Sequence, residues 1–281
     1  MEGGLTVSDD PALDKARVLP AYLEEYAALT ELIDSLSDDD WRRPTALPAW
    51  DVQAVISHLM GTELTLLGEK PPAGEVPDAH DRPHVHNDIA ARNEAWVDSF
   101  AGDSPQQMRE RWRDIVERRT AAMEAMTDGQ WHAPSWTPIG EGTLSRFMRI
   151  RVFDLWLHEQ DMRDAVGKVG HETGDAVDVA LDEISLALGF LIGRKAGAPD
   201  GSSVTITLPD TGRTFHIVVA GRAAVVDQID GEPTTVVRMP TSAFTRLAGG
   251  RGEVEPLLRD VLIAGDRELG ERVARNLAFT I

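Results

Sequence analysis

An aspartate and a histidine stand four residues apart in the segment RVFDLWLHEQD, residues 151–161. Residues at this spacing lie on the same face of an α-helix, so Asp154 and His158 are predicted neighbours. A carboxylate and an imidazole on one helix face can supply two ligands to a divalent metal such as zinc. A third ligand would have to come from another part of the chain.

The surroundings of this pair are apolar. On a helical wheel of residues 144–166, Asp154 and His158 share an arc with side chains such as Phe147 and Leu157. Burying a charge is unfavourable unless the charge is paired or binds a metal. The sequence therefore leaves two interpretations open: a metal site, or an ion-pair network in which Arg151 neutralises Asp154.

The predicted third ligand is His58, in the segment LPAWDVQAVISHLMG of an earlier helix. Two imidazoles and a carboxylate, with one open position, are typical of a catalytic zinc site, although nickel or iron also suits these ligands. Asp161, three residues after His158, is predicted to orient that imidazole. Glu63 falls near the centre of its helix's apolar arc, where it would either reach the same site or pair with an arginine, and the pairing is favoured.

Other kinds of catalytic site are less well supported. The histidines of HDRPHVH (His80, His84 and His86) lie in a proline-interrupted acidic loop, which favours a solvated linker over a metal site. No G-x-S-x-G motif of a serine hydrolase occurs. The chain contains no cysteine, so any thiol chemistry would require a thiol cosubstrate.

The two halves of the chain, which must position these residues, differ in their hydrophobic patterns. The first half has the apolar periodicity of long helices and predicts an antiparallel four-helix bundle, the third helix of which is interrupted. The second half combines helices with alternating segments such as SVTITL and TFHIVVA, which predict a smaller α+β domain with a mostly antiparallel sheet. We therefore expect an α+β protein with domains at residues 1–171 and 172–281.

The charge of the chain restricts its partners. There are 28 basic and 47 acidic residues, for a net charge of −19, which argues against nucleic acid or an anionic membrane as a partner. The sequence starts without an apolar leader, and no apolar run is long enough for a membrane helix. We expect a cytoplasmic protein that is a monomer or a homodimer and acts on small molecules.

The two segments LPAWDVQAVISHLMG and RVFDLWLHEQDMRDAVG resemble the mycothiol-dependent maleylpyruvate isomerase family, whose N-terminal domain is a DinB-like four-helix bundle. The resemblance covers most of residues 12–170 and implies that His58, Asp154 and His158 bind the metal. The isomerase itself has glutamate where Asp154 stands. The second half resembles, more weakly, the sterol-carrier-like C-terminal domain of the family, which implies that Arg246 or Arg251 has a catalytic role in holding the substrate.

By this resemblance the protein is a zinc-dependent (or other divalent metal-dependent) enzyme with mycothiol as cosubstrate. The thiol would add to an electrophilic small molecule, giving isomerisation, or S-conjugation as in a detoxifying transferase. Because maleylpyruvate is a dianion, the net charge favours other electrophiles. The alternatives are a non-catalytic ligand-binding or interaction module, with Asp154 and His158 in a structural polar network, and a thiol-independent metallohydrolase.

Overall fold

A computed structural model describes residues 11–72, 74 and 76–280 of the chain. The chain divides into two compact units, Met1–His171 and Glu172–Ile281. The first unit is built mainly from helices, and the second combines helices with a five-stranded sheet. The predicted α+β fold class is confirmed.

Six α-helices form the framework of the first unit over the residues that the structure describes. Four of them are the bundle: α1 and α6 are neighbours, as are α1 and α4, α2 and α4, and α2 and α6. The predicted interruption of the third helix separates two distinct helices, α3 and α4, and α3 packs against α2. Their bounds are α1 Lys15–Ser35, α2 Val52–Leu66, α3 Asp88–Phe100, α4 Pro105–Ala125, the short α5 Asp128–Trp131 and α6 Leu144–Val166.

Local signals fix where the two site-bearing helices begin and end. The Asp51 carboxylate accepts a hydrogen bond from the backbone N–H of Ala54 at 2.9 Å, which caps the first turn of α2. The Thr143 hydroxyl accepts one from the backbone N–H of Arg146 at 3.2 Å and caps α6 in the same way. Gly167 ends α6 with a left-handed φ of 69°, a conformation that suits glycine. His58 and His158 therefore lie well inside helices with defined starts.

The core of the first unit is large and aromatic. Four tryptophans are almost completely buried: Trp41, Trp112, Trp131 and Trp156. Gly61 allows α3 to approach α2 closely, because a Cβ atom at this position would collide with the ring of Trp96. The close approach buries the side of α2 that faces α3, and every residue from 52 to 61 is buried. Such close packing fixes the position of α2 within the first unit.

A small hairpin, which no sequence pattern indicated, precedes α6. Its strands, β1 (Pro134–Thr137) and β2 (Gly140–Thr143), pair antiparallel. Four-residue strands separated by two residues leave too short an alternation for a strand prediction. The hairpin leads directly into the Thr143 cap of α6.

The second unit contains a five-stranded sheet with the order β5-β4-β3-β6-β7. Three of its strand pairs are antiparallel and the pair β3–β6 is parallel, which confirms a mostly antiparallel sheet. Helix α7 packs against β4 and β5, and α10 against β6 and β7. The elements are α7 Asp175–Phe190, followed by the π-helical turn Leu191–Lys195, β3 Ser203–Leu208, β4 Arg213–Ala220, β5 Arg222–Val226, β6 Thr235–Arg238, α8 Thr241–Ala248, α9 Val254–Leu257, β7 Leu262–Gly265 and α10 Arg267–Arg275.

None of the described helices combines the length and the apolar composition that crossing a membrane requires.

Candidate metal centre

The three residues predicted to bind a metal lie together in the first unit. Nε2 of His58, on α2, lies 3.4 Å from Oδ2 of Asp154, on α6. Nε2 of His158 lies 3.5 Å from Oδ1 of the same aspartate. The three potential ligand atoms are all within 4.8 Å of one another. Both imidazoles are buried, whereas the Asp154 side chain is 33% exposed, so the cluster opens towards solvent on the side of the carboxylate.

His58 is more buried than its position on the helical wheel indicated. On a helical wheel of α2, His58 lies beyond the edge of the apolar arc, at a position that could border a cleft between helices but is not forced inward. His58 is nonetheless only 6% exposed, because its imidazole packs against Trp50 and against Asp154 and His158 of α6. A wheel of one helix does not show that a second helix covers its other side.

The spacing of the donor atoms fits a divalent metal. Zinc lies about 2.0–2.1 Å from imidazole nitrogen and carboxylate oxygen, so adjacent ligands of a tetrahedral ion are about 3.3–3.4 Å apart. Each imidazole nitrogen lies at about this distance from a different oxygen of Asp154, 3.4 Å for His58 and 3.5 Å for His158. Two nitrogens and one oxygen are also a donor set that zinc, nickel and iron accept. The residues present therefore fit the ion that the sequence predicts.

Asp161 contacts His158, as the sequence predicted. Its Oδ2 lies 3.0 Å from Nδ1 of the imidazole, and the aspartate is almost completely buried. A carboxylate at Nδ1 holds the proton on that nitrogen and leaves Nε2 with a free lone pair. His58 lacks an equivalent partner, because its Nδ1 is buried without a hydrogen bond.

A metal binds neutral imidazole and ionised carboxylate, and the surroundings favour these forms for His58 and Asp154 but not for His158. Burial lowers the pKa of His58 and keeps the ring neutral, although Asp154 opposes this effect. Burial raises the pKa of Asp154, but Arg151 and His158 outweigh it and hold the pKa well below its usual range. Burial lowers the pKa of His158, but Asp154 and Asp161 raise it above its usual value. A metal would therefore displace a proton mainly from His158.

Glu63 is the centre of a second polar group, located behind the candidate ligands. The side chain is fully buried and accepts four hydrogen bonds. The predicted pairing of Glu63 with an arginine is confirmed, and there are two such arginines. The donors are Tyr22 at 2.8 Å, Tyr26 at 2.7 Å, Arg119 at 2.8 Å and Arg151 at 2.9 Å.

Arg151 joins this group to the candidate ligands. Its Nε donates to Glu63, while its Nη1 contacts Oδ2 of Asp154. The ion-pair interpretation of Asp154 is thus realised in the structure together with the convergence of the two imidazoles. A metal at this position would share the carboxylate of Asp154 with the guanidinium of Arg151.

Trp50 is a component of the site that the sequence did not indicate. Its ring centroid lies 5.2 Å from that of His58 and 6.3 Å from that of His158. Its Nε1 donates to Oε1 of Glu94 at 2.8 Å, which fixes the indole in place. In the sequence, Trp50 stands directly before the Asp51 cap of α2 in the segment LPAWDVQAVISHLMG, and this position gives no indication of the imidazoles.

The histidines of the HDRPHVH segment do not converge with the candidate ligands. His84 is partly buried, with Nε2 3.0 Å from Oε1 of Glu94, so the solvated-linker interpretation is wrong for this residue. The exposed His80 lies 3.6 Å from Asp88. Within the described ranges, the groups with metal-ligand spacing are His58, Asp154 and His158, and a second group, Glu25, Glu159 and His171.

Arg246 and Arg251 belong to the second unit. Arg246 lies in the last turn of α8. Arg251 follows that helix and donates from Nη1 to the backbone carbonyl oxygen of Gly249 at 2.6 Å. Their predicted catalytic role stays a prediction.

The fold and the site together define a class: two-unit proteins in which a helical bundle carries a candidate metal centre and an α+β unit follows. The profile described as the mycothiol maleylpyruvate isomerase N-terminal domain matches residues 22–163, which is half of the chain. The profile of the MDMPI C-terminal domain matches residues 178–272. The chain belongs to the mycothiol maleylpyruvate isomerase family.

Individual relatives are more distant. Two uncharacterized proteins, from two strains of Mycobacterium tuberculosis, are each 26% identical over 148 residues, which are 50% of this chain and 53% of the relative. The chain thus spans about half the length of the curated relatives it matches. The crystal structure of a mycothiol-dependent maleylpyruvate isomerase superposes with a TM-score of 0.57 and 18% identity, covering 93% of this chain and 96% of that chain. A mutant of that enzyme matches equally well. At this identity the likeness shows a shared fold.

Proposed function

We propose that the protein is a metal-dependent enzyme that uses a low-molecular-weight thiol, mycothiol by family, to isomerise or S-conjugate an electrophilic small molecule. The observation that carries the proposal is the convergence of His58 and His158 on Asp154. Membership of a family described by its mycothiol-dependent isomerase supports the choice of thiol. The absence of cysteine is consistent with a thiol supplied from outside the chain.

His58, Asp154 and His158 would hold the divalent cation, zinc being the first choice for this donor set. A cation held there would lower the pKa of a bound thiol and so supply a thiolate at neutral pH. The substitution of aspartate for the family's glutamate shortens one ligand by a methylene. The presence of Arg151 beside Asp154 keeps that carboxylate ionised and ready to bind.

The remaining side chains of the site have positioning roles in this proposal. Asp161 holds Nδ1 of His158 and aims Nε2 at the position that the ligands share. The indole of Trp50 lies beside both imidazoles and shields them from water, while Glu94 holds the indole. Arg246 or Arg251 would bind an anionic group of the substrate, as the resemblance implies.

A specific observation favours a second candidate function. Because Arg151 contacts Asp154 directly, the aspartate has a charge partner without a metal. In that case the protein is a non-catalytic ligand-binding module, and the imidazoles belong to a polar network. A third candidate, a thiol-independent metallohydrolase, would use the same ligands to activate water.

The test is an assay for thiol dependence. Purified zinc-loaded protein is incubated with maleylpyruvate, or with a panel of other electrophiles, in the presence and absence of mycothiol, and products are followed by mass spectrometry. Turnover that requires mycothiol and is lost in His158→Ala, but not in Asp164→Asn on the same helix, supports the proposal. Turnover without thiol would establish the hydrolase, and no turnover of any substrate would leave the non-catalytic module.

A further inference from the structure

A second group of ligating side chains lies where α1, α6 and the segment after α6 meet. It consists of Glu25, Glu159 and His171, which we call the Glu25 cluster. Nδ1 of His171 lies 2.6 Å from Oε2 of Glu159 and 3.5 Å from Oε2 of Glu25. One donor atom from each of the three residues lies within 4.8 Å of the other two. The cluster thus collects a nitrogen and two oxygens from three separate elements.

The carboxylate of Glu25 lacks the partners that burial demands. The residue is completely buried, and neither carboxylate oxygen accepts a hydrogen bond from a donor group. Nine in ten or more of the buried polar groups in folded proteins have such a partner, so this pair of oxygens requires an explanation. A cation between the carboxylates would provide one, since it would coordinate the oxygens directly.

Acidic side chains surround the imidazole of His171. Glu24, Glu25 and Glu159 contribute three carboxylates around His171, and Nε2 of the imidazole is 3.5 Å from Oε1 of Glu24. The basic side chain that contacts Glu159 is Arg163, whose Nε is 2.7 Å from Oε1. Burial and the neighbouring Glu159 raise the pKa of Glu25 well above its usual value. A proton thus neutralises Glu25 in the absence of a metal, and a divalent ion bound by the cluster would take the place of that proton.

The backbone around His171 fixes the position of its imidazole in the Glu25 cluster. Its φ is +53°, a left-handed value that residues other than glycine rarely adopt. Its carbonyl oxygen accepts a hydrogen bond from Nε1 of Trp156 at 2.9 Å, and Trp156 is almost fully buried. The chain is therefore fastened to α6 at the residue whose imidazole enters the cluster.

We propose that Glu25, Glu159 and His171 bind a second divalent cation, which links α1, α6 and the segment that follows α6. The mixed nitrogen and oxygen donors suit zinc or another first-row transition metal. On binding, the ion replaces the proton that Glu25 holds and a proton of the His171 imidazole, and these protons are released to solvent. The role is structural, because Glu25 and Glu159 are buried and the three ligands tie three elements together. The proposal does not depend on the function proposed above.

The experiment counts metal in the full-length protein after removal of the first site. His58→Ala protein is loaded with zinc, dialysed and analysed by mass spectrometry for metal, and its Tm is measured with and without zinc. We expect about one zinc per chain and a Tm that zinc raises. Adding Glu25→Gln, which has nearly the same shape as a protonated glutamate, should abolish both effects. Glu24→Gln, on the more exposed neighbouring acid, should preserve them.

Two outcomes would overturn the proposal. One is His58→Ala protein that is folded by circular dichroism but retains no zinc and shows no shift in Tm. The other is Glu25→Gln protein that binds as much zinc as its parent, since a proton rather than a metal would then neutralise Glu25. If His58→Ala fails to fold, Asp154→Asn provides an alternative background for the same comparison.

Discussion

Nε2 of His58 lies 3.4 Å from Oδ2 of Asp154, although the two residues belong to helices far apart in the sequence. The relationship exists because α2 is buried along its whole first half and α6 presents Asp154 to it. His158 then completes the group through its position one helical turn after Asp154. The geometry makes α2 and α6 parts of one site. Other side chains hold these two helices and the candidate ligands in place, and their substitution has measurable consequences.

Glu63→Gln should destabilise the protein strongly. The substitution removes the charge that Arg119 and Arg151 share in a fully buried environment, and breaking such a pair from one side costs about 3–5 kcal/mol. The free energy of unfolding from urea titrations measures the loss. Glu117→Gln, on the exposed face of α4, is the matched control and should change it by less than about 0.5 kcal/mol. Equal effects of the two substitutions would refute a role for the buried charge.

The contribution of Glu63 should depend on pH. Burial raises the pKa of Glu63, but Arg151 and Arg119 outweigh burial and the pKa lies below its usual value. A group with a lowered folded-state pKa stabilises the fold fully above its unfolded-state pKa, about 4.3 for glutamate, and loses that contribution as pH falls through the folded-state pKa. The difference in unfolding free energy between wild type and Glu63→Gln should shrink below about pH 4.3. A difference that stays constant from pH 6 to the acid limit of folding would contradict this account.

Asp161→Asn should weaken metal binding without removing a ligand. The substitution keeps an oxygen for Nδ1 of His158 but loses the charge that orients and polarises the imidazole. Losses of such supporting carboxylates typically reduce metal affinity about 10–100-fold. Competition with a chelator, on Glu25→Gln protein so that the Glu25 cluster does not contribute, gives the affinity. Asp164→Asn, exposed on the same helix, should bind as its parent does; an unchanged affinity in Asp161→Asn would exclude the orienting role.

Gly61→Ala should destabilise the protein even though alanine favours helices by about 1 kcal/mol over glycine. The added methyl group would collide with the ring of Trp96 and push α3 away from α2. Overpacking of this kind costs about 1–3 kcal/mol. Gly129→Ala, in α5, has no atom near its added Cβ and should be neutral or stabilising. Thermal unfolding of both variants gives the comparison, and a Tm of Gly61→Ala equal to or above the wild type would be the contrary result.

Much of the fold could be predicted from local signals in the sequence. The Asp51 cap and the glycine at the end of α6 mark helix boundaries, and the alternation in SVTITL and TFHIVVA marks two paired strands. Strand β7 has only four residues, 262–265, which are too few to show alternation, so the sequence did not predict it. The parallel pairing of β3 with β6 depends on contacts distant in the sequence, which no local pattern records.

The site was predictable to a similar extent. Helical spacing placed Asp154 beside His158 and Asp161 beside His158, and the contacts are present. Spacing could not show that Trp50 and the side chains of α6 bury His58. The approach of Trp50 to the imidazoles and the meeting of Glu25 with His171 also depend on tertiary packing.

The central claim is that His58 and Asp154 bind one metal ion together. The most direct test is the zinc content, measured by mass spectrometry, of Glu25→Gln protein with and without His58→Ala or Asp154→Ala. We predict about one zinc per chain in the parent and nearly none after either substitution, with the helical circular dichroism signal retained. A parent that binds no zinc, or zinc that survives both substitutions, would contradict the metal centre and leave Asp154 as the ion-pair partner of Arg151.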